Sequence, residues 1–544
     1  MATLATLPFL RNLFDGYLSD DWILAAYAAH STQSFFSLFH TNNLGGISGG
    51  AYRPLFALFW EIGHFFGGTP FPLHLIQLLF HISTALLIVW IGREICGNEY
   101  KKVGIVAALF FVVFPNHAEA VIWLATSADP IGTFFYFLAL ACYLHARQQE
   151  KNVLLWLVGA LVAALLAFFS KEMMVTLPAV LLLWECLRLK KTQLKKDLGR
   201  ALLFLSPFFL LCAAYLFLRW QATGLVFGYY AAPKLSIDPT VAIRSIVTMT
   251  LSHFFSGDLR TYWSPTLNYQ NILAALIAVT GTVALIMRRW IRPSRTLVFL
   301  VGAYILSLGP VVQFGINTVP GRVTDEGERY VYLPSVFFAL LLGWIVVSLR
   351  DRFSAAGRKM FAATIVLFCV FLTTQLVIKT ERWHQAAKMA AHILTTWHEQ
   401  YTSAPADGVI TVGLPDNTRG IYLWRNGFAE AIAAQFGIHP DMIVTPIRTV
   451  TDSENAFSLT SLPKRYLYQA AQGNDIVGDP IFEGGDYTST LLDPIDARYP
   501  LSYRYFSREA TLRFSQAFLQ TNAGRTIAVM AWDGKGWQRV DVRP

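Results

Sequence analysis

The sequence carries little charge for its length. Of its 544 residues, 15% are Asp, Glu, Lys or Arg and 54% are hydrophobic, whereas a soluble globular chain carries about 25% charged residues. This shortage excludes an ordinary soluble protein and predicts that much of the chain lies in a membrane. The net charge of +9 does not indicate nucleic-acid binding, because the basic residues stand in short clusters between apolar runs.

Cysteine is also scarce, and the five cysteines form no Cys-x-x-Cys pair. They lie in or beside apolar segments and predict neither a disulfide framework nor a zinc site. The chain has no Asn-x-Ser/Thr sequon, which favours a bacterial plasma membrane over the lumen of the endoplasmic reticulum. Residues 1–14 are apolar but shorter than the ~20 residues of a spanning helix, and we expect no cleavable signal peptide there.

Long apolar runs are what the sequence has in abundance. Ten of them approach the ~17–25 residues that cross a bilayer. The runs are 73–93, 103–124, 130–146, 152–170, 173–189, 201–220, 271–288, 296–314, 331–349 and 360–379. The interrupted apolar segment 51–66 fits an interfacial amphipathic helix better than a span.

The connections between these runs alternate in charge. Alternate loops carry nineteen Lys or Arg, and the loops between them carry seven although they are longer in total. By the positive-inside rule the richer loops are cytoplasmic. The loops 15–72, 221–270 and 315–330 and the C-terminal region are therefore expected to face outward.

The chain divides by composition into two regions. Residues 1–380 are interpreted as an all-α polytopic membrane domain of about ten helices, and residues 381–544 have soluble composition. Within the latter, VITVGLPD predicts a strand, GFAEAIAAQFG a helix and IAVMAWDGKGWQRVDV a hairpin turning at Asp533-Gly534. We expect a small extracytoplasmic α/β domain. Its Trp424-Arg425-Asn426-Gly427 segment is interpreted as turn chemistry or, alternatively, a small binding site.

Ionisable residues collect in the segments that are predicted to face outward. Such residues beside a membrane are functional candidates. They are Asp20, Asp21, Tyr52, Arg53, His117, Glu119, Asp129, Lys171, Glu172, Glu328, Arg329 and Tyr330. Carboxylates can act as a base toward an acceptor hydroxyl, and Arg or Lys can hold a phosphate. The mixture predicts sugar transfer from a lipid-linked phosphate, without nucleic acid as a partner.

Six segments in order carry a family resemblance over roughly residues 12–385. They are SDDW, YRPL, FPLHLIQLLFHISTALLI, FPNHAEAVIWLATSADPIGTFF, FSKEMMVTLPAVLLLWE and ERYVYLPSVFFALLLGW. Together they resemble the membrane core of GT-C glycosyltransferases, and in particular the O-mannosyltransferases that carry TPR repeats in animals, with their bacterial relatives. The resemblance implies a dolichyl- or undecaprenyl-phosphate sugar donor, inverting transfer and an outward-facing active site. A different small domain stands after Trp383 in place of the TPR repeats.

The resemblance also implies roles for single residues. Asp20 or Asp21 would be the catalytic base or its close partner, with Asp20 favoured; the alternative is a helix N-cap with solvated charge. Tyr52 and Arg53 resemble the cationic motif that meets the lipid phosphate, and the alternative for Arg53 is snorkelling at the interface. Arg329 is interpreted either as a phosphate ligand or as the partner of a neighbouring carboxylate.

The remaining candidates keep more than one interpretation. His117, Glu119 and Asp129 would contact substrate or acceptor, or would brace a re-entrant turn after Pro115. A divalent metal site there is a third alternative that we do not favour, and no other cofactor is expected. Lys171 and Glu172 are interpreted first as an internal ion pair at a helix junction.

Three functions compete at this point. The first is a glycosyltransferase that moves mannose or another hexose to protein Ser/Thr or to a cell-envelope glycan or lipid. The second is a transporter or flippase of lipid-linked glycans. Transporters often have internal repeats and polar groups at mid-membrane, whereas this sequence shows no repeat and its polar groups concentrate at one membrane face. The third is a catalytically silent scaffold whose outer domain binds a partner.

Overall fold

The computed structural model describes most of the first 412 residues and shorter stretches after them. The described residues are 5–31, 37–39, 51–97, 102–148, 151–226, 239–255, 294–312, 327–350, 352–412, 414–415, 417–418, 421–424, 427–438, 442–445, 449–453, 456–460, 481–483, 501–502, 509–513, 523–532 and 536–542. The span expected at 271–288 and most of the loops at 221–270 and 315–330 lie outside them.

The chain forms two compact units. The first comprises Met1–Phe14, Tyr27–Thr318 and Asp325–Arg382, and the second comprises Asp15–Ala26, Val319–Thr324 and Trp383–Pro544. Asp15–Ala26, named here the acidic segment, is thus grouped with the C-terminal residues. The sequence did not predict this grouping.

The helices dominate the described part of the chain. In chain order they are α1 Asp20–His30, α2 Pro54–Phe65, α3 Pro70–Cys96, α4 Lys102–Val113, α5 Ala118–Ile122, α6 Ala128–Ala146, α7 Val153–Ser170, α8 Leu177–Arg188, α9 Leu194–Thr223, α10 Pro239–Ser252, α11 Arg295–Leu308, α12 Tyr332–Arg350, α13 Ala355–Ser403 and α14 Phe428–Phe436. Short 3-10 turns precede or follow several of them. The division between the units falls within α13.

Six of the described helical segments are long and apolar enough to cross a membrane. They are Pro70–Cys96, Leu124–Ala146, Val153–Ser170, Leu194–Thr223, Glu328–Arg350 and Ala355–Ser403. A seventh candidate is the pair Lys102–Val113 and Pro115–Ile122, whose axes differ by 61°. The chain is therefore a mostly helical, multi-pass membrane protein, and the total of ten spans stays a prediction.

The helix of the bent pair is interrupted at Phe114, directly before Pro115. Proline has no N–H to donate, so the α-helical ladder stops there. The amide of Gln77 in α3 donates to the carbonyls of Ala120 (2.6 Å) and Trp123 (3.1 Å). Carbonyls released by a broken helix need such partners in a membrane, where water is absent.

Glycine brings three helices of the first unit into backbone contact. A Cβ at Gly92 of α3 would lie 2.5 Å from the Cα of Gly104 in α4. A Cβ at Gly343 of α12 would lie 2.7 Å from the carbonyl oxygen of Val103, also in α4. Small residues permit this close approach, which takes the place of hydrophobic burial between membrane helices.

The second unit contains the strands. They are β1 Gly408–Val412, β2 Asn417–Thr418, β3 Ile421–Tyr422, β4 Met442–Thr445, β5 Thr449–Ser453, β6 Ala456–Thr460, β7 Ile481–Glu483, β8 Leu501–Ser502, β9 Glu509–Arg513, β10 Ile527–Trp532 and β11 Trp537–Val542. The strand orders are β11-β10-β1-β4, β3-β2-β8 and β5-β6-β9-β7. In the first sheet β1 runs parallel to β4 and β10, and β10 and β11 are antiparallel.

Three sequence predictions for this region are confirmed. The predicted strand is β1, the predicted hairpin is β10–β11, and the predicted helix is α14. Gly437 caps α14 with a left-handed φ of 66°, as glycine does at helix C-termini. The hairpin turn at Asp533-Gly534 lies outside the described residues.

Candidate functional site

Seven charged residues of the first unit form a connected group, named here the polar cluster. They are Arg53, Glu119, Asp129, Lys171, Glu172, Arg219 and Arg329. Their positions follow from helix direction, because successive helices that run opposite ways bring the start of one beside the end of the next. Asp129 stands in the first turn of α6, whereas Lys171 and Glu172 come directly after α7.

Glu172 joins two arginines. Arg53 donates through its Nε and Nη2 to the Oε2 of Glu172, at 3.0 and 2.8 Å. Arg219 donates through Nη1 to the Oε1 of the same carboxylate at 2.8 Å. The Arg219 side chain is 2% exposed and that of Arg53 is 14% exposed. Arg53 is thus the member of this trio whose guanidinium is both positioned by a carboxylate and accessible.

The two arginines keep Glu172 ionised. Burial would raise the pKa of this carboxyl, but the charges of Arg53 and Arg219 outweigh burial and lower the pKa to about 2. A nearby opposite charge favours the charged form of a carboxylate. Glu172 therefore serves as a permanent counter-ion at neutral pH, a state unsuited to accepting a proton.

Lys171 belongs to a second pair. Its Nζ lies 2.6 Å from both carboxylate oxygens of Asp129, and both side chains are buried. The same Nζ lies 5.0 Å from the centroid of the Tyr330 ring. A cation over an aromatic face is attracted by the ring quadrupole. Lys171 and Glu172 thus form ion pairs at the helix junction, but each with a partner from elsewhere in the chain.

Glu119 forms the third pair, with Arg329. The Nη1 of Arg329 donates to Oε1 of Glu119, and the backbone N–H of Arg329 donates to Oε2 at 2.7 Å. The N–H of Gly327 also donates to this carboxylate, at 3.3 Å. The Arg329 guanidinium, 19% exposed, lies 4.8 Å from the Tyr330 ring centroid. The Tyr330 ring therefore contacts the cations of two pairs, Lys171 and Arg329, and connects these two pairs.

His117 and Tyr52 are buried rather than accessible. The Nε2 of His117 lies 2.9 Å from the hydroxyl of Ser335, and its ring packs on Phe111 and Tyr332. The hydroxyl of Tyr52 donates to the carbonyl of Phe39 at 2.7 Å. Burial raises the pKa of Tyr52 to about 12.

Asp20 and Asp21 belong to the second unit. Both stand in the first turn of α1, where a negative charge is favourable. Asp21 is buried, and its Oδ2 accepts a hydrogen bond from the N–H of Leu18 at 3.0 Å. Asp20 is partly exposed. The two neighbours therefore differ: the carboxylate of Asp21 braces the turn, and that of Asp20 is the more accessible.

Two charged residues of the first unit were missed by sequence reasoning. Arg219 stands at the end of the apolar run 201–220, where a single arginine was the signal. Lys379 forms a fully buried ion pair with Glu328, and its signal was a lone lysine at the end of the run 360–379. Ionisable residues inside apolar runs are rare and pair with one another.

Metal ligation was the remaining alternative for the acidic residues. Within the described ranges, no three His, Cys, Asp or Glu side chains are grouped so as to hold a metal ion. Glu119 and Asp129 instead take Arg329 and Lys171 as their cations.

The far end of α6 carries a different arrangement. Arg147, which follows α6, donates through Nε and Nη2 to the two carboxylate oxygens of Glu185 at 2.7 and 2.8 Å. Tyr143 donates to the same carboxylate at 2.9 Å. Since α6 has 19 residues, it separates this pair from Asp129 by about 27 Å. The Arg147–Glu185 pair is named here the opposite pair.

Comparison with known proteins gives a match over part of this region. Residues 53–218 match the family described as dolichyl-phosphate-mannose-protein mannosyltransferase. Protein O-mannosyl-transferase TMTC2 of Mus musculus is 28% identical over 152 residues, which are 27% of this chain and 18% of that protein. Protein O-mannosyl-transferase Tmtc1 of Drosophila melanogaster is 30% identical over 195 residues, 34% of this chain and 22% of that protein. The matches thus cover less than a quarter of these relatives.

Solved structures with similarity to this chain include an oligosaccharyltransferase and ArnT. The apo oligosaccharyltransferase of Archaeoglobus fulgidus is 12% identical, with a TM-score of 0.44 over 82% of this chain and 64% of that one. ArnT of Cupriavidus metallidurans bound to undecaprenyl phosphate is 12% identical, with a TM-score of 0.40 over 80% of this chain and 88% of that one.

Proposed function

We propose that the chain is an integral-membrane glycosyltransferase, and the proposal starts from the match of residues 53–218 to the family described as dolichyl-phosphate-mannose-protein mannosyltransferase. It moves a hexose, with mannose as the first candidate, from a polyprenyl phosphate to an extracytoplasmic hydroxyl. The acceptor hydroxyl belongs to a protein Ser or Thr or to a cell-envelope glycan or lipid. The membrane is a bacterial plasma membrane in this proposal.

The observation that carries the proposal is the pair of accessible arginines in the polar cluster. Arg53 and Arg329 are each fixed on a carboxylate, at 14% and 19% side-chain exposure. A guanidinium has five N–H donors, more than one carboxylate accepts, so an arginine that is oriented in this way can also bind phosphate. Arg53 lies at the start of the segment that matches the family.

The proposed reaction uses these cations on the leaving group. The acceptor hydroxyl attacks C1 of the sugar, and the bond between C1 and the phosphate oxygen breaks with inversion at C1. The electron pair of that bond stays on the polyprenyl phosphate, whose growing charge Arg53 and Arg329 stabilise. The hydroxyl proton passes to a carboxylate acting as general base. The proposal assigns this role to Asp20 or Asp21 on the resemblance of the Ser-Asp-Asp-Trp segment, with Asp20 favoured by its accessibility.

The test follows sugar release from the donor. Membranes containing the protein are given polyprenyl phosphates that carry radiolabelled mannose, glucose or galactose, and loss of label from the lipid is measured. We expect release by the wild type from one of them. Asp20→Asn or Asp21→Asn lowers release by about 100-fold or more, and Arg53→Lys, which keeps the charge but loses the planar fork, lowers it about tenfold.

The matched control is Arg147→Lys. It makes the same replacement in an arginine that also holds a glutamate through Nε and Nη2, and we expect release to equal that of the wild type. Absence of release by the wild type from every donor, or equal losses in Arg53→Lys and Arg147→Lys, overturns the proposal. In that case transport of a fluorescent lipid-linked glycan by reconstituted protein tests the flippase alternative.

A further inference from the structure

The segment that carries Asp20 and Asp21 has a strained backbone. Ser19, directly before them, has a φ of 48° and is fully buried. Residues with a side chain rarely adopt this left-handed conformation, which persists only where surrounding contacts impose it. The contacts that fix the acidic segment are therefore informative about its role.

Those contacts come from the C-terminal part of the second unit. The N–H of Ser19 donates to the carbonyl of Leu423 at 3.1 Å. Asp15, four residues earlier, has its Oδ1 2.5 Å from the Nδ1 of His384. Inside the segment, the N–H of Trp22 donates to the carbonyl of Ser19 at 3.2 Å. Residues that lie about 370 and 400 positions away in the sequence thus hold the acidic segment at two points.

Gly427 makes the closest approach. It has a φ of 84°, and a Cβ built on it would lie 2.4 Å from the carbonyl oxygen of Ser19 and 3.0 Å from the Cβ of Trp22. No side chain fits in this space, because the first of these atoms is backbone and cannot move without moving the acidic segment. The segment of Trp424 and Gly427, which the sequence left open between a turn and a binding site, therefore packs against the acidic segment.

We propose that Gly427, Leu423 and His384 are positioning residues, which hold the acidic segment of Ser19, Asp20 and Asp21 in the conformation that catalysis requires. The C-terminal domain then serves the reaction by fixing the base rather than only by receiving an acceptor. This inference rests on the proposed function, because it assumes that Asp20 or Asp21 is the base.

The test compares two glycines at opposite ends of α14. Gly427→Ala and Gly437→Ala both place a side chain at a left-handed φ, 84° and 66°, but only Gly427 contacts the acidic segment; a Cβ at Gly437 meets nothing within 4 Å. We expect Gly427→Ala to lower kcat about 10- to 100-fold with little change in KM for the donor, because the base is displaced and the phosphate ligands are not. Gly437→Ala is expected to keep the wild-type kcat.

A second measurement does not depend on activity. Hydrogen exchange of peptides covering residues 15–26 is measured in the full-length protein. Exchange is expected to accelerate in Gly427→Ala and to stay at the wild-type rate in Gly437→Ala, since only the first disturbs the bond from Ser19 to Leu423. Ser19→Gly, which adopts the observed φ without strain, is expected to keep both kcat and protection, whereas Ser19→Val is expected to lose both.

The outcomes separate the two proposals. Unchanged exchange in Gly427→Ala overturns the positioning inference whatever the activity. Faster exchange with an unchanged kcat shows that the contact is real but does not serve catalysis, and this also overturns the inference. If the wild type releases no sugar while exchange accelerates as expected, the contact stands and the proposed function fails.

Discussion

The polar cluster and the opposite pair differ in charge balance more than in accessibility. Arg53 and Arg147 are exposed to nearly the same extent, 14% and 16%, and each holds a glutamate with two nitrogens. Among the ion pairs of the described residues, however, the polar cluster brings four cations to three carboxylates, because Glu172 contacts two arginines. The opposite pair matches one cation to one carboxylate, which also accepts from Tyr143. A surplus of positive charge suits a phosphate, whereas a balanced pair suits structural bracing, so exposure alone would not have distinguished them.

The largest expected effect is a loss of stability that is the same for an ion pair of the polar cluster and for the opposite pair. It tests whether both pairs contribute equally to the stability of the fold. Lys171→Met and Arg147→Met each remove the cation from a buried carboxylate, that of Asp129 or Glu185. Each is expected to lower the free energy of unfolding by about 3–5 kcal/mol, measured in detergent with a denaturant. The double variant Lys171→Met/Asp129→Leu is expected to recover most of the loss.

The control for this prediction is an exposed pair. Arg11 contacts Glu381 with 65% of its side chain accessible, and Arg11→Ala is expected to cost no more than about 1 kcal/mol. Single variants of the buried pairs that cost as little as Arg11→Ala would contradict the assignment of these pairs as structural.

The second prediction uses pH to sharpen the comparison. The pKa of Glu172 is about 2 in the folded protein against an ordinary 4.5, because two arginines outweigh its burial. A carboxyl whose pKa is lowered on folding stabilises the folded state at pH values above its ordinary pKa. This stability is lost as the pH falls from about 4.5 to about 2. The loss amounts to about 3 kcal/mol. Unfolding at a series of pH values is expected to show this loss in the wild type and not in Glu172→Gln, and identical curves would contradict it.

The third prediction concerns the ring that connects two pairs. Tyr330 lies 5.0 Å from Lys171 and 4.8 Å from the Arg329 guanidinium, and a cation–π contact contributes about 0.5–1 kcal/mol at such sites. Tyr330→Leu is expected to raise KM for the donor about fivefold, measured by sugar release. Phe204→Leu removes the ring under Arg147 and is expected to leave KM unchanged. An equal rise in both variants would remove the distinction between the two ends.

The smallest effect is expected at His145. Its Nδ1 lies 3.1 Å from the Oε1 of Glu94, and 23% of its side chain is accessible. A partly exposed pair of this kind contributes at most about 1 kcal/mol. His145→Gln is therefore expected to change unfolding by no more than that and to leave sugar release at the wild-type rate. A marked loss of release would give this end of the membrane unit a functional role.

The sequence predicted much of the fold because apolar length and turn residues are local signals. A count of apolar residues is enough to predict spans such as 73–93 and 152–170. The periodicity of its sequence and Gly437 are enough to predict α14. The sequence did not predict that Asp15–Ala26 would group with the C-terminal residues. The contacts within that group, such as the hydrogen bond from Ser19 to Leu423, join residues far apart in the sequence and so leave no local signal.

The sequence predicted most of the residues of the candidate site but not which of them pair with each other. Adjacent residues such as Lys171 and Glu172 project in different directions, so their partners come from other helices. Lys171 takes Asp129, and Arg329 takes Glu119 from 210 positions earlier. Arg219 was hidden in an apolar run because hydropathy averages over a window, and a single arginine barely lowers the mean.

The sequence separations within the polar cluster also set an order of assembly. Asp129 meets Lys171 after 42 further residues are made, but Glu119 waits 210 residues for Arg329. During synthesis the ribosome therefore delivers a carboxylate to the membrane long before its cation exists, a costly state for an ionisable group among lipids. Arg329 is the last member of the polar cluster to be made, so until then the buried carboxylate of Glu119 lacks the cation that it contacts in the folded protein.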